Sequence, residues 1–401
     1  MIGTRSDIAV IGAGPAGAWA AYQLAQRGAQ VLLLDSSHPR EKPCGGGVTG
    51  RALDLVAPAI DVRTVPVVAV RSARFTASST ASVADVPLAA DALLVASRMQ
   101  FDALVLEAAR RAGARLLATR VTDVRPAENG FEIETAAGRY RAAFVVGADG
   151  ANSLVRRRLA APFRRGQLSI ATGFFAHGVT SDQIAIEFVV RPQGYIWSFP
   201  RPTHLAIGVC AQADAGAGSA TLRALVAEWI ARSGVARGAR LEPYAWPIPS
   251  LAAGDFDRLH LSGSRWCLIG DAAGLVDPVT REGIFFALQS GQWAADALAS
   301  GDADGPRQYA RQVQDEIARE LARAARLKAA FFRSHFTRLM IEALNSSAAI
   351  TEVMADLVAG TQNYEGLQWR LVKTLEIRLA ARLMLSAIRS RRGLAHEGVT
   401  A

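Results

Sequence analysis

Residues 7–17 read DIAVIGAGPAG and join a short apolar run to three glycines spaced as GxGxxG. The apolar run predicts a buried strand, and the alanine-rich stretch 18–27 predicts a helix that Gly28 ends. A second apolar run, 30–34, stops at Asp35. A strand, a glycine turn, a helix and a second strand ending in an acid together predict a βαβ unit that binds a dinucleotide.

The residues of this turn have separate physical roles. Gly12 permits the tight turn, Gly14 lets the backbone approach a pyrophosphate, and Gly17 lets the helix pack on the strand. The N-terminus of the predicted helix then faces the phosphates. We expect Asp35 to accept hydrogen bonds from a ribose diol.

Composition excludes several classes of protein. The chain has 401 residues, enough for two or three domains, and 50% of them are hydrophobic, so disordered and fibrous proteins are excluded. The formal net charge is +9, and all but three of the basic residues are arginines. This surplus of arginine is explained equally well by genome composition and by anion binding.

Cys44, Cys210 and Cys267 are far apart in sequence and contain no CxxC pair. We therefore expect neither a disulfide framework nor a metal site, and a reducing, cytoplasmic location. Glycine and proline interrupt the apolar N-terminus, and no uninterrupted apolar run reaches 18 residues, so we expect no signal peptide and no membrane span.

A second glycine and aspartate segment lies some 260 residues after the first. A predicted strand at 266–269 leads into GDAAG at 270–274, and REGI at 281–284 opens a predicted helix that ends at Leu298. Two such sites so far apart imply one long ligand clasped by distant segments. FAD is a ligand of this kind.

The remaining segments complete a predicted α/β fold: a Rossmann-type FAD-binding domain interrupted by an antiparallel β-sheet substrate domain and followed by a helical C-terminal region. The predicted divisions are 1–66, 96–165 and 259–305 for the FAD-binding domain, 67–95 and 166–258 for the sheet domain, and 306–401 for the helical region. Residues 306–392 have a helical pattern with arginine spaced along it. The default interpretation is a solvated face; a cap on a substrate pocket and a membrane-surface segment are the alternatives.

Four motifs resemble the geranylgeranyl reductase family of flavoproteins: IGAGPAG at 11–17, KPCGGG at 42–47, GYIWSFPR at 194–201 and GDAAGLVDPVTREGI at 270–284. GADGANSLVR at 147–156 is shared with aromatic hydroxylases, so the second and third motifs are the narrower markers. The resemblance implies a fold like that of glutathione reductase. It also implies a non-covalent FAD, reduced by transient NADPH or NADH, and hydride transfer to isolated double bonds of a prenyl lipid.

Motifs and resemblance together give the candidate site residues. Gly283 and Ile284 start a helix whose amides can meet the pyrimidine edge of a flavin. The predicted cofactor-binding residues are Gly12, Gly14, Pro15, Ala16, Gly17, Asp35, Cys44, Gly45, Gly46, Arg98, Val121, Asp149, Asp271, Gly274, Pro278, Gly283 and Ile284.

Cys44, Tyr195 and Trp197 are the candidate catalytic residues. Cys44 is interpreted either as a small buried apolar residue or as a group that shapes the substrate side or assists protonation. Tyr195, Trp197 and Phe199 alternate along one predicted strand and share a face. That face is either core or the wall of an apolar substrate tunnel.

Arg281 departs from the resemblance, because the family usually has glycine there. A long cation at this position can reach substrate, a nicotinamide phosphate or an acidic neighbour such as Glu282, and the sequence does not choose among them.

Other functions remain in competition. An aromatic hydroxylase shares the fold but usually has histidine where this chain has Gly274, and a halogenase needs a reactive lysine, for which the chain offers only three candidates. A quinone reductase with an iron-sulfur centre does not fit the cysteine count, and a non-enzymatic flavin scaffold is a further alternative. We expect no nucleic-acid partner and no obligate protein partner, with peripheral membrane contact as an open alternative.

Overall fold

The computed structural model of the chain describes residues 2–78 and 80–374. The predicted helical pattern at 375–392 lies outside the described residues.

The strands follow in chain order. They are β1 (Ile2–Ile11), β2 (Val31–Leu34), β3 (Gly47–Thr49), β4 (Val67–Ala69), β5 (Ser72–Ala77), β6 (Thr80–Pro87), β7 (Leu93–Ala96), β8 (Arg115–Leu117), β9 (Val121–Ala127), β10 (Gly130–Thr135), β11 (Gly138–Gly147), β12 (Leu168–His177), β13 (Gln183–Val189), β14 (Gly194–Pro200), β15 (His204–Gln212), β16 (Arg240–Pro249), β17 (Ser262–Gly263) and β18 (Trp266–Leu268).

The helices lie between and after them. They are α1 (Pro15–Gln26), α2 (Gly50–Val56), α3 (Arg98–Arg111), α4 (Leu154–Leu159), α5 (Ser219–Ser233), α6 (Ala253–Phe256), α7 (Gly270–Ala273), α8 (Ile284–Leu298), α9 (Gly305–Val313), α10 (Arg319–Phe331), α11 (Ser334–Ser346), α12 (Ala348–Ala359) and α13 (Tyr364–Lys373).

The first sheet has the order β17-β18-β11-β1-β2-β8; β10 pairs with β11, and β9 pairs with β10. The pairs from β18 to β8 are parallel, and residues 8–11 of β1 and all of β2 are buried apolar runs, as strands covered by helices on both faces require. A Cβ on Gly17 would lie 1.9 Å from the Gly12 carbonyl oxygen, so only glycine lets α1 pack this closely on the turn. The sequence prediction of a βαβ unit is confirmed.

The second sheet has the order β16-β12-β15-β14-β13-β5-β6. It is antiparallel except where β13 pairs with β5 in parallel. This exception arises because β5 comes from an earlier excursion of the chain and joins the later strands at their edge. The helix α5 covers one face of the sheet, and its other face packs against residues of α10, α11 and α12.

A small third sheet, β3-β7-β4, was not predicted. In this sheet β7 lies at the centre and pairs with β4 on one side and on the other with β3, which begins at the last glycine of the KPCGGG motif. Residues 67–69 and 93–95, which the sequence pattern had assigned to the substrate sheet, therefore lie in this third sheet. The predicted domain boundaries stay a prediction. In the described part of the chain, no helix is both long enough and apolar enough to cross a membrane.

Candidate active site

A continuous cavity of about 880 Å³ lies between the two larger sheets. One end is lined by the glycine turn after β1, the middle by the loop after residue 41 and the start of α8, and the other end by the aromatic face of β14. Phe331 and Phe332 close this last end together with Met354 and Leu357 of α12. The C-terminal helices therefore cap a pocket, and the default interpretation of a solvated face is wrong for them.

The cavity brings most of the predicted residues together. It is lined by Gly12, Gly14, Pro15, Ala16, Asp35, Cys44, Gly45, Gly46, Arg98, Val121, Asp149, Asp271, Gly283, Ile284, Tyr195 and Trp197. Gly17, Gly274 and Pro278 lie off the cavity wall, and their contacts with the cofactor stay a prediction. Gly17 lets α1 pack against the glycine turn, where a Cβ would clash with the Gly12 carbonyl. Gly274 ends α7 in a left-handed conformation with φ of 86°.

Asp35 organises the glycine turn. Its carboxylate accepts hydrogen bonds from the backbone amides of Ala13 at 2.8 Å, Ser37 at 2.6 Å and His38 at 2.9 Å, and from the His38 ring at 2.9 Å. Burial alone would raise the pKa of Asp35, but His38 and the amides outweigh burial and hold it below its usual range. Asp35 is therefore ionised, and it fixes the loop in addition to its predicted role toward a ribose.

His38 was missed by sequence reasoning and links this carboxylate to a second buried one. Its Nδ1 contacts Asp35, and its Nε2 lies 3.6 Å from Oδ2 of Asp102. Asp102 is fully buried and accepts two hydrogen bonds of 2.8 Å from Arg98 in a bidentate pair. The signal in the sequence was a histidine three residues after the acid that ends β2.

The loop that carries Cys44 is held by two guanidinium groups. Nη1 of Arg98 lies 3.4 Å from Sγ of Cys44, and Nη2 of Arg201 donates to the Cys44 carbonyl oxygen at 2.5 Å. Arg201 is completely buried and also pairs with Glu41. Sequence reasoning missed Arg201 as a site residue. The available signal was its place as the last residue of the GYIWSFPR motif.

Tyr195 and Trp197 form an aromatic wall at the far end of the cavity. The Tyr195 hydroxyl donates to the Thr280 carbonyl at 3.2 Å, and burial raises the pKa of Tyr195 well above its usual value. The Tyr195 ring stacks on Phe332 with centroids 5.8 Å apart, whereas the buried Trp197 Nε1 has no partner among the described residues. An apolar chain can lie along this wall.

The helices α1 and α8 begin at the cavity without a side-chain cap. Gly14 precedes α1 and Gly283 precedes α8, so the first-turn amides of both helices have no capping side chain. Such N-termini suit a pyrophosphate and an electron-rich ring edge. Lys42 and Asp271 form an ion pair of 3.0 Å between them. These features fit the two halves of FAD. The described residues contain no cluster of His, Cys, Asp and Glu that could hold a metal.

Comparisons with known proteins agree with this site. The model of a family described as FAD binding domain matches residues 5–233. The chain is 31% identical over 360 residues to digeranylgeranylglycerophospholipid reductase of Methanothrix thermoacetophila, covering 82% of this chain and 88% of that one. It is 28% identical to menaquinone reductase of Mycolicibacterium smegmatis over 91% of this chain and 94% of that one.

Solved structures share the fold. A geranylgeranyl bacteriochlorophyll reductase-like protein of Thermoplasma acidophilum has a TM-score of 0.77 at 19% identity and covers 93% of this chain and 100% of that one. A flavin-dependent brominase has a TM-score of 0.71 at 20% identity, with 89% and 94% covered. At this level of identity the two structures show the architecture alone.

Proposed function

Since the chain belongs to the geranylgeranyl reductase family of FAD-dependent oxidoreductases, we propose that it reduces isolated carbon-carbon double bonds in the prenyl chain of a lipid. The observation that carries this proposal is the continuity of one cavity from two uncapped helix N-termini to the aromatic wall of Tyr195, Trp197 and Phe332. FAD, reduced by NADPH or NADH, supplies the hydride when bound.

In this proposal the two ends of the cavity have different tasks. The amides at Gly14 and Gly283 and the Asp35 loop hold the cofactor. The apolar wall excludes water and holds the prenyl chain. The predicted contacts of Asp149 and Val121 with the cofactor are part of the same proposal.

An isolated alkene needs a proton as well as a hydride, because hydride addition alone leaves an unstabilised carbanion. Protonation gives positive charge at the branched carbon, and the faces of Tyr195 and Trp197 can stabilise that charge. The candidate proton donors are Cys44, Tyr195 and a bound water, and of the two side chains Cys44 is the better placed. The Tyr195 hydroxyl donates its hydrogen bond to the Thr280 carbonyl, whereas Sγ of Cys44 accepts one from Nη1 of Arg98 at 3.4 Å and can still give up its own proton.

Product analysis tests the function. The purified chain, loaded with FAD and supplied with NADPH, is incubated in deuterated water with geranylgeranyl diphosphate, with menaquinone and with digeranylgeranylglycerophospholipid. We expect a product that gains two hydrogens per double bond, with deuterium on the carbon that receives the proton. Oxygen from ¹⁸O₂ or a halogen in the product would refute the reductase and favour a hydroxylase or a halogenase.

A second arm tests the proton donor. Cys44→Ala is expected to lose most of the turnover while FAD content stays constant, and Cys44→Ser should show whether the thiol itself is needed. Equal turnover in wild type and Cys44→Ala would exclude the proposed role. We further propose that the chain meets its lipid at the cytoplasmic surface of a membrane, which cosedimentation with lipid vesicles tests.

A further inference from the structure

Arg281 and Lys328 bring two positive charges together without a carboxylate. Nη1 of Arg281 donates to Oγ of Ser250 at 2.8 Å, and Nζ of Lys328 lies 3.0 Å from the same oxygen. The remaining bonds go to Ser169 at 3.3 Å and to the amide oxygen of Gln212 at 3.1 Å. In the described part of the chain, every hydrogen-bond partner of these two cations is neutral.

The backbone directs Arg281 to this position. It adopts a left-handed conformation with φ of 62°, and its amide donates to the Asp277 carbonyl at 3.1 Å. Its neighbour Glu282 is engaged elsewhere, because Thr49 donates to it at 2.7 Å and Arg51 pairs with it. The acidic neighbour is therefore excluded as the partner of Arg281. The buried Nε of Arg281 has no partner among the described residues.

Lys328 reaches the same point from α10. Burial and then the charge of Arg281 lower the pKa of Lys328 to about 7, against the opposing effects of Cys210 and Asp214. The protein therefore holds an amine where its charge is poorly compensated. An anion at this point would supply the missing compensation.

Two other cations that line the cavity, Lys42 and Arg98, are each compensated by a carboxylate. Lys42 pairs with Asp271 at 3.0 Å, and Arg98 with Asp102 at 2.8 Å. Arg281 lines the same cavity, directly after Thr280, whose carbonyl accepts the Tyr195 hydroxyl. Arg281 therefore lies beside the aromatic wall, and Lys328, which does not line the cavity, lies behind it on the shared Ser250 hydroxyl.

We propose that Arg281, with Lys328 behind it, binds an oxyanion carried on the substrate, of the phosphate or carboxylate type, at the cavity wall. This inference rests on the proposed function and extends it to the headgroup of the prenyl substrate. A guanidinium offers paired N–H donors that match two oxygens of such a group, and a lysine ammonium adds a point charge. The anchored headgroup then fixes which length of the chain lies along Tyr195 and Trp197.

Titration calorimetry of the FAD-loaded full chain tests the site. Geranylgeranyl diphosphate is compared with geranylgeraniol, which has the same chain without the anion, and with inorganic pyrophosphate. The variants are Arg281→Gln, Arg281→Lys and Lys328→Met. Arg326→Gln is the control, because Arg326 lies on α10 like Lys328 but is exposed. FAD content and thermal melting are recorded for each variant, so that misfolded protein is recognised.

We expect Arg281→Gln to raise the Kd for the diphosphate by about 10- to 100-fold and to change that for the alcohol by less than about twofold. Arg281→Lys should retain part of the preference, Lys328→Met should weaken it, and Arg326→Gln should leave it unchanged. Equal weakening of both prenyl ligands by Arg281→Gln, or no preference for the diphosphate in the wild type, would overturn the proposal.

Two further results distinguish a substrate headgroup from a free anion, and a failure of the anion site from a failure of the proposed reductase function. Inorganic pyrophosphate that binds as tightly as the prenyl diphosphate, and depends on Arg281, would assign the site to a free anion and overturn the headgroup assignment. A selective, Arg281-dependent site in a protein that reduces none of the prenyl compounds would uphold the anion site while the proposed reductase function fails.

Discussion

Replacing Asp102 by asparagine tests whether the buried ion pair behind the cavity holds the site together. Asp102 is fully buried, and Arg98 is 3% exposed. Their two hydrogen bonds of 2.8 Å form a bidentate pair across one turn of α3. Asp102→Asn keeps the shape of the side chain but leaves the guanidinium as a buried charge without its counterion.

The expected loss follows from that geometry. Removing one partner of a buried pair costs about 3–5 kcal/mol, because the remaining charge stays desolvated. With about 2–4 °C per kcal/mol for a domain of 150–250 residues, melting should fall by about 6 °C or more. Arg98 also lies beside the Cys44 sulfur, so a displaced Arg98 should disturb the cavity as well.

Differential scanning fluorimetry of the FAD-loaded protein measures the effect. Glu107→Gln is the matched control on the same helix, because Glu107 and Arg110 are 3.1 Å apart but 49% and 57% exposed. An exposed pair of this kind contributes at most about 1 kcal/mol. Equal losses from Asp102→Asn and Glu107→Gln would refute the claim that burial makes the pair important.

Three other changes give separate tests. Asp35→Asn should weaken FAD binding by about tenfold or more, measured by equilibrium dialysis, because a neutral side chain cannot accept all the hydrogen bonds that fix the turn; unchanged affinity would contradict this. Trp197→Ala should reduce turnover of a prenyl substrate more than it reduces FAD content. The control Trp229→Ala, on the helix α5 that covers the other face of the sheet, should chiefly lower stability. Equal loss of turnover and FAD content in Trp197→Ala would make Trp197 a core residue. The pKa of Lys328 is about 7 in the folded protein and about 10.5 in the unfolded chain, so between these pH values the unfolded state binds the extra proton. The free energy of unfolding should therefore rise between about pH 7 and 10.5. Lys328→Met should flatten this rise in melting curves recorded across that pH range, and an unchanged slope would count against the lowered pKa.

Local spacing was enough to predict the glycine turn, α1, β2 and the position of Asp35, because each depends on residues close in sequence. The same is true of the helix after Gly283.

Long-range contacts could not be predicted in this way. Arg201 meets Glu41 across 160 residues, and β13 joins β5 in parallel although no pattern within either strand encodes that partner. Phe331 and Phe332 look like ordinary apolar positions of a helix, and only the path of the C-terminal helices brings Phe332 to Tyr195 and Phe331 to Phe188. The missing information was which distant surfaces each apolar face would cover.

The hydrogen bonds from the Tyr364 hydroxyl to Asp277, at 2.9 and 3.1 Å, have a consequence for the order of events during translation. Asp277 holds the turn before Gly283 through the amides of Val279 and Thr280, and this turn forms part of the cavity wall. Tyr364 leaves the ribosome after every one of these residues. The glycine turn after β1 can therefore form early, but the cavity wall reaches its final set of contacts only after Tyr364 has been synthesised.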